Sequence, residues 1–411
     1  MLTSLALAVV GGAAGASAAG VTLTISDVSA PEGSSGTSPF TFTVQAAGAL
    51  KGNATVQYAS FNGTATAPAD YGAAAGTLNF DRKHKTRTVT IQVVGDTENE
   101  ANEIFEVRLS NATGASISDG VGVGTILNDD AGVVDPTIAA AGDIACDPAN
   151  ASYNGGQGTA TECRQLATSN LLLSGGYAAV LTLGDNQYED GAYTKYTTSY
   201  DPSWGRVKAS TKPVPGNHEY VTANATGYFQ YFGPAAGDPA KGYYSYDVGT
   251  WHLIALNSNC ASVGGCGAGS PQEQWLRADL GAHANACTLA YWHHPRFSSG
   301  SHGNDTTVAP LWQALYDWNA DVVLAGHDHD YERFAPQDPF ANADSSRGLR
   351  EIVVGTGGRS HYGFSTIRAN SQVRDSTSYG ILELTLHPTG YDWRFVAAVG
   401  SFFDSGSAGC H

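Results

Sequence analysis

Apolar and polar residues alternate with a period of two along five stretches of the first 130 residues: 21–25, 40–44, 54–58, 86–94 and 104–109. Such alternation marks strands with one buried and one wetted face. Clusters of Gly, Asn, Pro and Asp punctuate them, and short strands at this regular spacing predict an all-β sandwich domain. Beyond residue 136 the pattern changes. The apolar runs 137–141, 178–183, 288–292 and 321–325 read as buried strands, and 350–354 and 381–386 add more. Residues 163–174, 272–282 and 310–318 have helical spacing, with Pro271 opening the second. Strands alternating with helices predict an α/β layered sandwich. The expected order is a leader-like segment 1–20, a sandwich 21–130, a linker 131–136 and a second domain 137–411. The Gly-rich stretch 154–158 fits neither pattern.

The polar residues that break the apolar runs of the second domain fall at strand ends. Gly142-Asp143 follows 137–141, and Gly184-Asp185-Asn186-Gln187-Tyr188 follows 178–183. Gly216-Asn217-His218-Glu219 follows 212–215, His293-His294-Pro295 follows 288–292, and Gly326-His327-Asp328-His329 follows 321–325. An acid at the end of a buried strand costs several kcal/mol unless a cation or hydrogen bonds offset it. One such acid is as often a helix cap or a turn former. Five such ends, in a fold class that binds ligands where strands stop, predict convergence on two metal ions, with Asp185 shared between them.

Composition narrows the function classes. With 411 residues the chain can build two or three domains with well-buried cores. The 21 Lys and Arg against 38 Asp and Glu leave a formal charge of -17, which argues against general nucleic-acid or anionic-membrane binding. A nucleotide substrate stays open, because bound metals can invert the local field. Residues 2–10 are mostly apolar and 11–18 small, like a secretory signal cleaved after Ala18 but without its basic start. The run is too short to span a membrane, so the expectation is a secreted or extracellular protein without a transmembrane segment. Six cysteines fit export, and Cys-x-x-Cys is absent. Cys146–Cys163 and Cys260–Cys266 would close short loops and leave Cys287 with Cys410. Fifteen pairings are open to six cysteines, and so are free buried thiols.

Residues 21–130 resemble a Calx-β domain. The matching pieces are Pro31-Glu32-Gly33, Asp70-Tyr71, Gly76-Thr77-Leu78-Asn79-Phe80, Asp96 with Glu100 and Glu103, Phe105-Glu106-Val107-Arg108-Leu109, and Leu127-Asn128-Asp129-Asp130. The resemblance implies calcium at Glu32, Asp70, Asp96, Glu100, Asp129 and Asp130, hard oxygen donors of the kind this ion takes six to eight of. The alternative is a rigid spacer with solvated acids.

The five strand ends together resemble the calcineurin-like metallophosphoesterases, with a pattern similar to that of the purple acid phosphatases over residues 137–400. By that resemblance Asp143, Asp185, Tyr188 and His329 hold one metal, and Asp185, Asn217, His293 and His327 hold the other. It implies Fe3+ paired with Fe2+, Zn2+ or Mn2+, since a phenolate suits ferric iron. It also implies an exported phosphohydrolase that cleaves phosphomonoesters with metal-bound hydroxide. His218 would face the phosphate. His302 stands where the family carries the first of two outer histidines, but the second position here is Gly303. His293 is selected over His294, which would point elsewhere, because the family's ligand lies two residues before Pro. Tyr331-Glu332-Arg333 reads as structural support. The alternatives are a phosphodiesterase or nucleotidase on the same site, or a calcium-dependent protein that contacts a cell surface or matrix through its Calx-β domain and carries an inert phosphoesterase domain.

Overall fold

The computed structural model describes residues 20–130, 135–283 and 287–411. The leader-like segment up to residue 19 and linker residues 131–134 lie outside the described residues. The chain divides into two compact units between Val134 and Asp135.

Among the described residues the first unit is a sandwich of nine strands: β1 (Thr22–Ile25), β2 (Val28–Pro31), β3 (Gly36–Ala47), β4 (Ala54–Asn62), β5 (Ala75–Phe80), β6 (Thr86–Gly95), β7 (Glu103–Thr113), β8 (Ser116–Ile117) and β9 (Val121–Leu127). One sheet has the order β6-β3-β1-β8 and the other β2-β9-β7-β4-β5. The period of two decides which side chains go inside. Along β3, Phe40, Phe42, Val44 and Ala46 are buried while Thr41, Thr43 and Gln45 face water. Each buried Phe contributes about 1.5–3 kcal/mol, and the ring of Phe105 stacks on Tyr71 at 4.4 Å.

The second unit has two mixed sheets. Its strands are β10 (Thr137–Ala141), β11 (Ala179–Leu183), β12 (Thr211–Val214), β13 (Tyr244–Val248), β14 (Trp251–Ala255), β15 (Cys287–Tyr291), β16 (Val322–Ala325), β17 (Tyr331–Phe334), β18 (Arg350–Val354), β19 (Ser371–Asp375), β20 (Tyr379–His387), β21 (Gly390–Val399) and β22 (Ser405–Gly409). The sheet orders are β12-β11-β10-β20-β21-β22 and β13-β14-β15-β16-β18-β17-β19. Every residue of β11, β15 and β16 is buried, which is why these runs do not alternate. Leu253, Leu289, Leu324 and Ile352 join Ile138, Leu181 and Leu382 in one core. Their strand neighbours Ile254, Ala290 and Val323 pack on Leu276, Leu280, Leu311, Trp312 and Leu315 in another. Those last five belong to helices Pro271–Ala282 and Ala309–Asp317. The result is the expected α/β layered sandwich.

Local chemistry sets the helix boundaries. Ser270 accepts a hydrogen bond from the Glu273 backbone N–H and Pro271 fills the first position, both favourable starts. The helix expected from residue 163 begins instead at Gln165, because Cys163 has a φ of 63°, outside the helical region. All six cysteines are bridged, as Cys146–Cys163, Cys260–Cys266 and Cys287–Cys410, so the free-thiol alternative falls. Strands β10, β11 and β12 run parallel, as do β14, β15, β16 and β18. Their carboxyl ends carry the polar loops.

Candidate metal centre

Each of the five strand-end loops turns a donor inward, and two of the turns depend on glycine. A Cβ on Gly184 would lie 2.5 Å from His293 Nδ1, and one on Gly216 would lie 2.1 Å from Asp185 Oδ1. Asp143, Asp185 and His327 adopt left-handed backbone at φ 59°, 45° and 71°. Side chains rarely do so outside sites where the surroundings hold them.

The predicted donors meet in two overlapping groups. In the first, the Tyr188 hydroxyl lies 2.8 Å from Asp143 Oδ1, 3.1 Å from Asp185 Oδ2 and 2.9 Å from His329 Nε2. His329 Nε2 is also 3.3 Å from Asp143 Oδ1. In the second, His293 Nε2 lies 3.1 Å from Asn217 Oδ1, 3.1 Å from His327 Nδ1 and 3.3 Å from Asp185 Oδ2. Asp185 Oδ2 belongs to both. Asp143, Asp185, Tyr188, His293 and His329 are buried.

This arrangement is short of protons. Tyr188 has one O–H for three acceptors. His293 donates Nδ1–H to the Leu183 carbonyl at 2.8 Å, and His329 donates Nδ1–H to the Ser360 carbonyl at 2.6 Å. Those bonds fix the tautomers and turn both Nε2 atoms into the cage. Burial, then Asp143 and Asp185, push the Tyr188 phenol well above its usual range. Burial would lower His293, but Asp185 raises it to about 9. Burial would raise Asp185, but His293 and then His218 hold its carboxyl well below the usual range. Burial, with His293 and His294 beside it, pushes His327 far down. Carboxylates, a phenol, an amide oxygen and imidazoles aimed at one another form a donor set that suits hard or borderline cations.

The two candidate catalytic histidines stand at the rim. His218 donates Nδ1–H to the Glu189 carbonyl at 2.6 Å, with Nε2 3.8 Å from Asp185 Oδ2. Its ring lies 4.3 Å from that of Tyr188. The ring of His302 lies 4.1 Å from that of His327, tilted by 33°. The side chains of His218 and His302 are 27% and 41% exposed, whereas Asp143, Asp185, Tyr188, His293 and His329 behind them are buried.

His294 corrects an expectation. It does not point elsewhere: its ring lies 4.4 Å from His327, and its donor atom groups with those of His293 and His327 within 4.8 Å. Alternation along a strand would send neighbours to opposite sides, but β15 ends at Tyr291 and both histidines lie beyond it. Burial and His293 lower His294 to about 4.

Two contributors were not expected. Glu219, fully buried, accepts from the backbone N–H groups of Asn186 (3.0 Å), Gln187 (3.1 Å) and Gly216 (2.7 Å) and from the Tyr196 hydroxyl (2.9 Å). It ties two donor loops together, and burial, then Asp185, push its carboxyl up to about 7. The loop after β18 brings Tyr362, whose ring stacks on His329 at 4.0 Å. Arg359 lies over Tyr188 at 5.2 Å and pairs with Glu162 and Glu189. Tyr331 and Arg333 bond the buried Asp404, and Glu332 bonds Ser299, the supporting role expected of that triplet. A cavity of about 840 Å³ opens elsewhere, lined by Thr137 at the other end of β10 from Asp143. Its acid Glu383 is already paired with Tyr177 and Arg394.

In the first unit, Glu32 is 5% exposed, and the charges of Asp96, Glu100, Asp130 and Asp129 act on it. Asp70 acts on Glu100 and on Glu103. The six expected acids therefore share one acidic cluster, and Glu103 joins it. Asp130 Oδ2 is buried without a hydrogen-bond partner among the described residues.

Comparison with known proteins meets this geometry. Residues 21–130 match the family model for the Calx-β domain, and residues 136–331 match that for the calcineurin-like phosphoesterases. The chain carries a Calx-β domain followed by a calcineurin-like phosphoesterase domain. Relatives include an uncharacterised protein of Mycobacterium tuberculosis, 29% identical over 186 residues, 36% of this chain and 35% of that protein. Purple acid phosphatase 23 of Arabidopsis thaliana is 32% identical over 158 residues, 33% of each chain. The matches to these curated relatives thus span about a third of their length. The solved purple acid phosphatase PPD1 from yellow lupin (Lupinus luteus) seeds aligns over 94% of this chain and 74% of its own, with a TM-score of 0.55 and 16% identity. That likeness speaks for the fold of the phosphoesterase domain.

Proposed function

We propose that this protein is an exported, dinuclear metal-dependent phosphohydrolase that cleaves phosphate esters, with phosphomonoesters preferred. The cage of seven donors, five of them buried and with too few protons for its lone pairs, carries this reading. Asp143, Asp185, Tyr188 and His329 would hold one cation, and Asp185, Asn217, His293 and His327 the other. Fe3+ with Fe2+, Zn2+ or Mn2+ suits this set of hard and borderline donors. When bound, the pair supplies Lewis acidity to phosphate oxygens and a water of lowered pKa. The chain's own residues do the rest. His218, held by the Glu189 carbonyl, presents Nε2 to the phosphate and stabilises its growing charge. His302 at the rim meets the leaving group. The partly exposed rim admits substrate, while burial of Asp143, Asp185 and Tyr188 keeps bulk water from competing for the donors.

The phosphatases among the relatives support the reaction class, and three disulfides agree with export. Among the described residues no helix is long and apolar enough to cross a membrane. The Calx-β domain would bind calcium through Glu32, Asp70, Asp96, Glu100, Asp129 and Asp130. Elemental analysis of the purified protein, with a panel of phosphomonoesters, phosphodiesters and nucleotides, tests the reading. Two transition-metal ions per chain and turnover highest on monoesters are expected. Neither metal nor turnover would leave only a calcium-dependent binding protein, and turnover highest on diesters would move the substrate class.

A further inference from the structure

One buried acid beside the cage is a ligand to nothing in the proposed centre. Asp328 lies between His327 and His329 in the chain, and its side chain is fully buried. All four hydrogen bonds to its carboxylate come from one short loop. Oδ1 accepts from the backbone N–H of His302 at 2.9 Å and from His302 Nδ1–H at 2.9 Å. Oδ2 accepts from the Ser298 hydroxyl at 2.5 Å and from the Gly303 N–H at 3.3 Å. The loop sits hard on this carboxylate: a Cβ on Gly300 would lie 2.3 Å from Asp328 Cγ. His302 is braced on its other sides by the ring of His327 at 4.1 Å and that of Tyr362 at 5.3 Å. Its Nε2 has no hydrogen-bond partner among the described residues.

A hydrogen bond at one imidazole nitrogen decides what the other can offer. A buried carboxylate is costly unless its lone pairs are satisfied, and here one loop satisfies them. We infer that Asp328 is a positioning residue: it fixes His302 as the Nδ1–H form and holds Nε2 over the cage, toward the leaving group of the substrate. The same short segment thus supplies two cage donors and, from between them, the anchor of the rim histidine. This rests on the phosphohydrolase reading for its catalytic consequence, but not for the tautomer.

The experiment compares Asp328→Ala, Asp328→Asn, His302→Ala and the double variant Asp328→Ala with His302→Ala. An asparagine oxygen can still accept from both His302 donors while its amide donates to a turned Ser298 hydroxyl, and only the long bond from the Gly303 N–H at 3.3 Å is lost. Asp328→Asn should therefore keep both metals and stay within about 3-fold of wild-type kcat. Asp328→Ala should keep the metals and lower kcat by roughly 10–100-fold with KM little changed, the scale of a misplaced catalytic group. The loss should be larger on an alkyl phosphate than on p-nitrophenyl phosphate, because a poor leaving group needs that contact more. In the His302→Ala background the Asp328→Ala change should have no further effect, since the anchor acts through the ring. Nitrogen-15 NMR of histidine-labelled protein should show the Nδ1–H tautomer at His302 in the wild type and in Asp328→Asn, and a mixture in Asp328→Ala. Additive losses in the double variant, loss of metal from Asp328→Asn, or an Nε2–H tautomer in the wild type would each overturn the inference. If Asp328→Ala does not fold, Asp328→Asn and the wild-type tautomer still decide it. A wild type that turns over no phosphate ester but shows Nδ1–H at His302 would sink the phosphohydrolase reading and leave the anchor standing.

Discussion

Asp185 has no substitute within the cage, because both donor groups close on its Oδ2. Its other oxygen accepts from the His218 backbone N–H at 2.9 Å, so the same carboxylate also seats the neighbouring loop. Replacing it by asparagine removes the shared anion and turns an N–H into the cage. Asp185→Asn should lose both metals in elemental analysis. Its activity should fall by more than the roughly 10–100-fold that loss of an outer partner costs a metal site. Two retained metals with near-normal turnover would contradict the shared role. His218 stands outside the cage by the same geometry, its Nδ1 held by a carbonyl and its ring at the rim. His218→Ala should keep both metals and slow turnover by about 10²–10³-fold, the usual result of removing one group that stabilises transition-state charge. Loss of metal from that variant would move His218 into the cage.

At the scale of elements, the parallel strands fix where the donors start and the glycines fix how closely the loops approach. Gly216 shows this most directly, since the atom its Cβ would strike is a donor of the cage. Gly216→Ala should displace Asp185 and cut metal content and activity together, with circular dichroism unchanged. Gly267→Ala, whose Cβ would meet nothing within 4 Å, should leave both as they are. Full metal occupancy in Gly216→Ala would mean that the loops have slack. The same loop geometry governs which donors are legible in the chain. Asp143, Asp185, Asn217, His293 and His327 each follow a buried run, so pattern and chemistry pointed to the same positions. The loop after β18 offered no such signal: it contributes the Ser360 carbonyl, the Tyr362 ring and the Arg359 guanidinium, and no buried apolar run ends at any of them. Glu219 stood in a recognised motif, but three of its four bonds reach the distant Asn186, Gln187 and Tyr196, and such long-range partners have no periodicity. His294 was misplaced because the spacing to Pro295 selects one ligand and says nothing of where its neighbour's ring goes once the strand has ended. In the sandwich, strand cores were legible from their alternation, while β2, β5 and β8 are too short or too exposed to show one and β9 puts Gly122 and Gly124 on its buried face, where they carry no apolar signal.

Across the whole molecule the two candidate cation sites differ in kind. The phosphoesterase cage mixes imidazole, phenol, amide and carboxylate, whereas the sandwich cluster is made of acids alone. An all-acid cluster without a cation works against its own fold, and Glu32 feels this most directly. Burial, then Asp96, Glu100, Asp130 and Asp129, raise its carboxyl from the ordinary 4.5 to about 7. Below pH 4.5 both folded and unfolded chains hold the proton, and Glu32 adds no pH dependence. Between 4.5 and 7 the unfolded chain has released the proton and the folded one still keeps it, so stability falls as pH rises. Above 7 the loss is complete. Glu100 and Glu103 are raised as well, by burial and then by their acidic neighbours, and act with the same sign. Calcium bound to the ionised acids should reverse this, because a ligand that binds only the folded state stabilises it. Denaturation of the sandwich should therefore show a midpoint that drops from pH 5 to 7.5 in calcium-free buffer and recovers when calcium is added at pH 7.5. Glu32→Gln should flatten the pH dependence and weaken the calcium response. A calcium-free midpoint that holds steady or climbs across this range, with no response to calcium, would return these acids to the status of a solvated surface on a spacer domain.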